Sequence, residues 1–206
     1  MSGPLSVNAL DRTRWLANAT VFVSGASIMI VELLAGRVIS RHVGQSLYTW
    51  TAIIGVILAG ISAGNYAGGL LADRREPRRV LALLFLLAAA GCLAVRGLND
   101  LAGGLSVLRD QVWSARIVLH VLVTFLLPAL LLGTIGPVAA RMAVGADART
   151  GRAVGDVYAW GSVGAILGTF LAGFALIPFF GVTAILGGVS GLLAVTGLLY
   201  AAASLH

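Results

Sequence analysis

The chain has 206 residues, of which 59% are hydrophobic and only 11% are charged, and its net charge is +6. A soluble domain carries about 25% charged residues, so the composition excludes an ordinary soluble protein. Apolar runs of about 20 residues recur, and each is long enough to cross a hydrocarbon core of roughly 30 Å. A transmembrane barrel would instead show alternating segments of about 10 residues. The composition therefore predicts an all-α polytopic membrane protein.

We predict six transmembrane helices after a short polar tail. The tail covers residues 1–14 and resembles the start of a signal peptide. The apolar run that follows is too long for a signal peptide, so we interpret the tail as an uncleaved cytoplasmic segment. The transmembrane domain covers residues 15–206, with helices at about 15–40, 48–72, 80–98, 113–142, 154–179 and 182–203. Polar loops are predicted at 73–79 and 145–152. Residues 99–111 form another predicted loop, which has room for a short surface helix.

The distribution of arginine predicts the orientation. Six helices place both termini on one side of the membrane. Nine arginines lie near that side, namely Arg12, Arg14, Arg74, Arg75, Arg78, Arg79, Arg141, Arg149 and Arg152. Five lie near the other, namely Arg37, Arg41, Arg96, Arg109 and Arg116. The positive-inside rule then places both termini in the cytoplasm.

The type and position of the basic residues also bear on partners and location. All 14 basic residues are arginine, as is common in GC-rich bacterial genomes, so we expect a bacterial inner membrane protein. The arginines lie at helix ends and not on one soluble face, which favours membrane lipid over nucleic acid as a partner. Trp15, Trp50, Trp113 and Trp160 all lie near predicted helix ends, as in an aromatic belt.

Glycines recur every fourth residue in two of the predicted helices. The second helix has Gly60, Gly64 and Gly68, and the fifth has Gly164 and Gly168. Small residues let membrane helices approach closely, because lipid provides no hydrophobic drive for association. We interpret these five glycines as helix-packing residues. Their spacing leaves open whether they pack inside one bundle or form a sliding or dimer interface.

Glu32 is the only acidic residue well inside a predicted span. A carboxylate there costs about 2.5–3.5 kcal/mol on insertion scales, so it usually faces a partner or a cavity. One interpretation is structural, with Glu32 neutral or paired with an arginine. Arg37 is five residues away, which is a poor spacing for a pair on one helix face. The other interpretation is that Glu32 binds a cation or relays a proton.

The fourth helix contains Pro128, Pro137 and His120. Each proline leaves a carbonyl without its helical partner, and broken helices are frequent at transporter cavities. His120 is expected to be packed or hydrogen-bonded within the helix. No other ligand stands at metal-binding spacing, and Cys92 is the only cysteine, so no metal site is predicted. No catalytic set or phosphate-binding motif is visible, so we predict neither catalytic residues nor a cofactor.

Residues 69–79 have the sequence GLLADRREPRR. This segment resembles the loop between helices two and three of the major facilitator superfamily, whose pattern is G-x-L-a-D-R-x-G-R-R. Glu76 and Pro77 depart from that pattern. In the family this loop is cytoplasmic and its aspartate helps to hold the two transporter halves together, a role that the resemblance implies for Asp73.

A second resemblance covers nearly the whole chain. Its segments are residues 24–26, Glu32 with Arg37, Gly44, 60–74, 133–137 with Arg141, 151–159, 164–166, Gly168, Gly173 and 176–178. They resemble the membrane domain of fused spermidine synthase-like (polyamine aminopropyltransferase-like) bacterial proteins, which is similar to one major facilitator half. The resemblance implies two inverted three-helix repeats. The catalytic domain of those fused proteins has no counterpart in these residues.

Two functional hypotheses follow. The first is a half-size transporter that forms a homo-oligomer and moves or binds a small cationic or amine solute. The second is a membrane anchor or accessory subunit of a separate aminopropyl- or methyltransferase-like enzyme or of a larger complex. The candidate solute- or ion-binding residues are Glu32, Arg37, His120 and Tyr158. The candidate gating residues are Asp73, Arg74, Arg78, Pro128, Gly133, Pro137 and Arg141.

Overall fold

The computed structural model describes residues 7–144 and 150–204, and every regular element within these ranges is a helix. The helices are α1 Val7–Val43, α2 Leu47–Arg74, α3 Pro77–Gly104, α4 Ser106–Arg109, α5 Trp113–Val144, α6 Thr150–Phe179 and α7 Val182–Ala203. All except the four-residue α4 are long and apolar enough to cross a membrane. The prediction of an all-α fold with six helices of membrane length is therefore confirmed.

Several helices extend beyond their predicted ends. α1 begins at Val7, so the second half of the predicted tail is helical. α3 continues to Gly104 and α4 follows, so most of the predicted loop at 99–111 is helical too. The predicted loop at 73–79 shrinks to Arg75 and Glu76, because Pro77 starts α3 at a position where its missing N–H costs nothing. Residues 1–6 of the tail and 145–149 of the next loop lie outside the described residues.

The tryptophans at one end of the bundle also lie deeper in their helices than predicted. Because α1 starts at Val7 and α6 at Thr150, Trp15 and Trp160 stand two or more turns inside them. Their ring centroids are 5.8 Å apart, so the two side chains join α1 to α6 at one level.

A short turn reverses the chain between α1 and α2. Gly44 has a φ of 73°, which is the left-handed conformation that favours glycine after a helix end. Its N–H donates to the Ser40 carbonyl at 3.1 Å. The Ser46 hydroxyl then caps α2 by accepting the Thr49 N–H at 3.1 Å. These two local bonds end one span and start the next within three residues, 44–46.

α5 is the central helix of the bundle and packs against α1, α2, α3 and α6. α1 also lies along α6, and α3 lies along α7. The core between them contains large side chains that are fully buried, among them Leu34, Ile53, Phe85, Phe125, Ile135 and Leu193. α6 is the least buried of the six long helices, so it lies at the edge of the bundle.

The predicted packing glycines touch neighbouring helices of the same chain. On α2, a methyl group added at Gly68 would lie 2.5 Å from the Thr134 carbonyl oxygen of α5, and one at Gly60 would lie 2.7 Å from the Ala129 methyl. One added at Gly64 would overlap the Leu130 carbonyl oxygen. α2 and α5 therefore approach until their backbones touch.

The second pair of glycines repeats this contact on the other side of the bundle. A methyl group added at Gly164 of α6 would overlap the Phe22 carbonyl oxygen of α1, and one at Gly168 would lie 2.5 Å from the Ala26 carbonyl oxygen. Successive contacts advance by four residues on both helices, so α1 and α6 run parallel. All five predicted packing glycines thus contact neighbouring helices inside the bundle.

Candidate functional site

A groove opens where α1, α2, α5 and α6 meet. Its volume is about 610 Å³, which is large enough for a small organic ligand. α1 and α5, which are in contact, form its floor, and α2 and α6 form its walls. The lining residues are Val21, Ser24, Gly25, Ile28, Ile61, Asn65, Leu132, Gly133, Gly136, Pro137, Ala140, Val154, Val157, Tyr158, Gly161, Ser162 and Ala165.

The groove is mostly apolar, with four polar side chains in its lining. The Ser24 hydroxyl is buried and donates to the Leu132 carbonyl at 3.3 Å. Asn65, Tyr158 and Ser162 are exposed and bond to no other residue in the described part of the chain. Since lipid offers polar groups no hydrogen bonds, these three side chains need water, a ligand or another protein surface.

Tyr158 is the only predicted solute-binding residue in the groove lining. Gly133 and Pro137, predicted as gating residues, line the groove as well. Pro137 has no N–H to bond the Gly133 carbonyl, which leaves that oxygen without its helical partner. By contrast, Pro128 is buried and faces α3, where its Cα would lie 3.6 Å from a methyl group added at Gly91. The two prolines of α5 therefore lie in different environments, since Pro137 lines the groove and Pro128 packs against α3.

Glu32 lies on the groove face of α1 but beyond the groove itself. It follows Ile28 by four residues and so stands one turn farther along the same face. Its side chain is partly exposed and makes no hydrogen bond or ion pair with the described residues. The arrangement offers an unpaired carboxylate next to the groove.

Arg37 is not the partner of Glu32. Its side chain is exposed and Nη1 donates to the Ile177 carbonyl at 2.7 Å. Ile177 lies near the end of α6, just after a π-helical turn at Ala172–Leu176. A cation is favourable at a helix C-terminus, where carbonyls lack helical partners. This contact gives Arg37 a structural role in joining α1 to α6.

His120 lies in a polar cluster at the opposite end of α5 from the groove. It is 1% exposed, and its Nε2 is 2.9 Å from the Asn99 side-chain oxygen. The Asn99 amide N–H donates to the Val38 carbonyl at 3.2 Å, so its oxygen faces His120 and accepts from it. The His42 ring packs against the His120 ring at 5.3 Å. His120 is thus packed and hydrogen-bonded, as its interpretation from sequence proposed.

Replacing Asn99 by leucine should lower the free energy of unfolding by about 1–3 kcal/mol, because a buried N–H and a buried carbonyl lose their partner. Asn65→Leu is a matched control, since Asn65 also lies in an apolar span but is exposed and unbonded. Unfolding by denaturing detergent, followed by helicity, measures both. Equal stability of the two variants would show that the Asn99 bonds contribute nothing.

The predicted loop residues lie on the surface at the end where α1 begins. Asp73 and Arg74 are exposed in the last turn of α2, and Arg141 is exposed in the last turn of α5. Arg78 is partly buried in the first turn of α3. Asp73 makes no bond within the described part of the chain, so its side chain is available to another surface.

Asn65, Ser162, Asn99 and His42 were not predicted as site residues. Asn65 and Ser162 had a usable signal, since each is a polar residue inside an apolar span. Asn99 and His42 stood at predicted helix ends, where polar residues are ordinary.

Among residues 7–144 and 150–204, no three His, Cys, Asp or Glu side chains are placed to hold a metal ion.

We compared the chain with known proteins. No protein-family model, curated protein or solved structure matches the chain.

Proposed function

We propose that this chain is a half-size, major facilitator-like membrane transporter that works as a homo-oligomer and moves a small cationic or amine-bearing solute along the groove. The groove carries the proposal. It combines ligand-sized volume, polar side chains without partners and a carboxylate one turn away. A protein that only anchors another would not need such a groove inside its own bundle.

The pattern of helix contacts supports two inverted repeats, α1–α3 and α5–α7. In such repeats α1 corresponds to α5, α2 to α6 and α3 to α7. The α2–α5 contact then corresponds to the α6–α1 contact, and glycines form both. The α3–α7 contact joins the third helices of the two repeats. Each repeat has three spans, so the repeats run in opposite directions across the membrane, as in many transporters.

The chemistry of the groove favours a cationic or amine solute. No basic side chain lines it, and its polar groups include acceptor oxygens and the Tyr158 ring. The Gly133 carbonyl adds an acceptor that Pro137 leaves free. An ammonium group has only donors and is attracted to aromatic faces, so it matches this set. Glu32 would supply the negative charge for the next step along the path.

Pairing with a second copy would cover the open side of the groove. α2 and α6 flank it with exposed Asn65, Tyr158 and Ser162, which lipid cannot satisfy. Two copies facing each other would enclose the groove between them. Mass measurement in mild detergent tests this, since a dimer has twice the 21.1 kDa chain mass. Stoichiometric foreign subunits would instead favour the accessory-subunit hypothesis.

Glu32→Gln should reduce uptake of a radiolabelled amine into proteoliposomes by roughly tenfold or more, because a charge-assisted contact of about 1.5–3 kcal/mol is lost. The probe is a panel of primary and quaternary amines. Glu76→Gln is the matched control, since Glu76 is the only other glutamate and lies between α2 and α3. Equal uptake by both variants would remove Glu32 from the mechanism. Wild-type uptake no faster than in protein-free vesicles would reject transport of these solutes.

We further propose a bacterial inner membrane location with both termini in the cytoplasm, on the strength of the arginine distribution. The native cysteine is buried, so it gives little background to thiol reagents. In a Cys92→Ala background, Asp110→Cys should react with a membrane-impermeant maleimide in intact cells. Asp73→Cys should react only after the cells are permeabilised. The reverse labelling pattern would invert the orientation.

A further inference from the structure

A second pocket lies at the far end of the bundle from the groove, where α1 ends and α5 begins. Its volume is about 310 Å³. α1 contributes His42 and Val43, the turn after α4 contributes Gln111, and α5 contributes Trp113, Arg116 and Ile117. We call it the Arg116 pocket. It shares no lining residue with the groove.

Arg116 has unused hydrogen-bonding capacity in this pocket. A guanidinium carries five N–H donors. The one hydrogen bond of the Arg116 side chain with the described residues runs from Nη2 to the His42 carbonyl at 3.5 Å, which is the outer limit for such a bond. No carboxylate of the described residues pairs with it. Because Arg116 is partly buried, water serves it less well than an anion would.

Arginines outnumber acidic residues among the described side chains at this end of the bundle, with Arg37, Arg41, Arg96 and Arg116 against Asp100 and Asp110. Asp100 lies 3.4 Å from the His42 Nε2 and 3.9 Å from Arg41, so one acid is shared by two basic side chains. Asp110 is exposed and does not line the pocket. Gln111 uses one amide N–H on the Val107 carbonyl at 3.3 Å and keeps the other. The pocket thus combines a cation that no carboxylate of the described residues pairs with, a free amide donor and no acidic lining residue.

We propose that the Arg116 pocket binds a phosphate group. A guanidinium and a phosphate pair through two parallel hydrogen bonds, and the Gln111 amide can donate a third. Trp113 and Val43 give the pocket an apolar wall beside these donors. Tryptophan is enriched at the membrane interface, where lipid head groups lie. A phospholipid head group and a free phosphate share this chemistry and differ in the apolar tail.

Native mass spectrometry of the detergent-purified protein tests the lipid arm, with phosphatidylglycerol as the probe and diacylglycerol, which lacks the phosphate, as its control. Titration calorimetry with inorganic phosphate tests the other arm. We expect wild type to bind phosphatidylglycerol more tightly than diacylglycerol. Arg116→Gln should weaken that binding by roughly tenfold. Tight binding of inorganic phosphate would identify the free anion as the ligand.

Arg96→Gln is the matched control. Arg96 lies at the same end of the bundle, but it bonds to the Thr183 hydroxyl and does not line the pocket. We expect its binding to stay within twofold of wild type. If Arg116→Gln does not fold, Gln111→Leu replaces it, with a several-fold loss expected from one missing donor. Binding of neither phosphate probe, or an equal loss in Arg96→Gln, would overturn the proposal.

Discussion

Replacing Gly64 by alanine is expected to destabilise the protein by about 1–3 kcal/mol, as overpacking of a tight interface does. The added methyl would overlap the Leu130 carbonyl oxygen and lie 2.9 Å from the Thr134 nitrogen. Both atoms belong to the backbone of α5, so no side-chain rotation can relieve the clash. α2 and α5 would have to separate along their whole contact, which also includes Gly60 and Gly68.

Gly55→Ala separates this effect from helix propensity. Gly55 also lies in α2, but a methyl group added there would meet nothing within 4 Å. Alanine is favoured over glycine in a helix by about 1 kcal/mol, so Gly55→Ala should be neutral or stabilising. Unfolding in denaturing detergent, followed by helicity, measures both variants. If Gly64→Ala were as stable as Gly55→Ala, close backbone contact would not hold these helices together.

The six long helices could be predicted because a helix that crosses the bilayer needs about 20 consecutive apolar residues. Apolar runs located α2, α5 and α7 to within about two residues of their ends. Hydropathy placed the end of α3 at residue 98 and not at Gly104, because Asn99 and Asp100 are polar residues typical of a loop. In the fold, Asn99 is buried between His120 and Val38, so bonds from two other helices let α3 continue. Such partners are distant in sequence and cannot be read from hydropathy.

The candidate site could be predicted only in part, for the same reason. Glycine spacing identified the packing faces of α2 and α6, but it could not say that α2 meets α5 and α6 meets α1. The groove arises from those two pairings together. Tyr158 and Pro137 were therefore candidates from sequence, whereas their closeness to Asn65 and Ser162 required the helices to be placed. Pro128 has the same chemistry as Pro137 but faces α3.

Filling the groove should abolish transport without unfolding the protein. Gly136 lines the groove, and a methyl group added there would meet nothing within 4 Å. Gly136→Phe would therefore place a large ring in open space, where it removes the volume that a solute needs. We expect amine uptake by this variant to fall to the level of protein-free vesicles. Its free energy of unfolding should change by about 0.5 kcal/mol or less, as for other substitutions that meet no packed neighbour.

Gly188→Phe is the control for this experiment. Gly188 of α7 is exposed, and an added methyl there likewise meets nothing within 4 Å, but it lies outside the groove. Both variants add the same ring at a helical glycine with open space around an added methyl group, and the groove is what distinguishes them. Gly188→Phe should keep wild-type uptake and stability. Full uptake by a folded Gly136→Phe would mean that the solute does not pass through the groove, whatever the effect of Glu32→Gln.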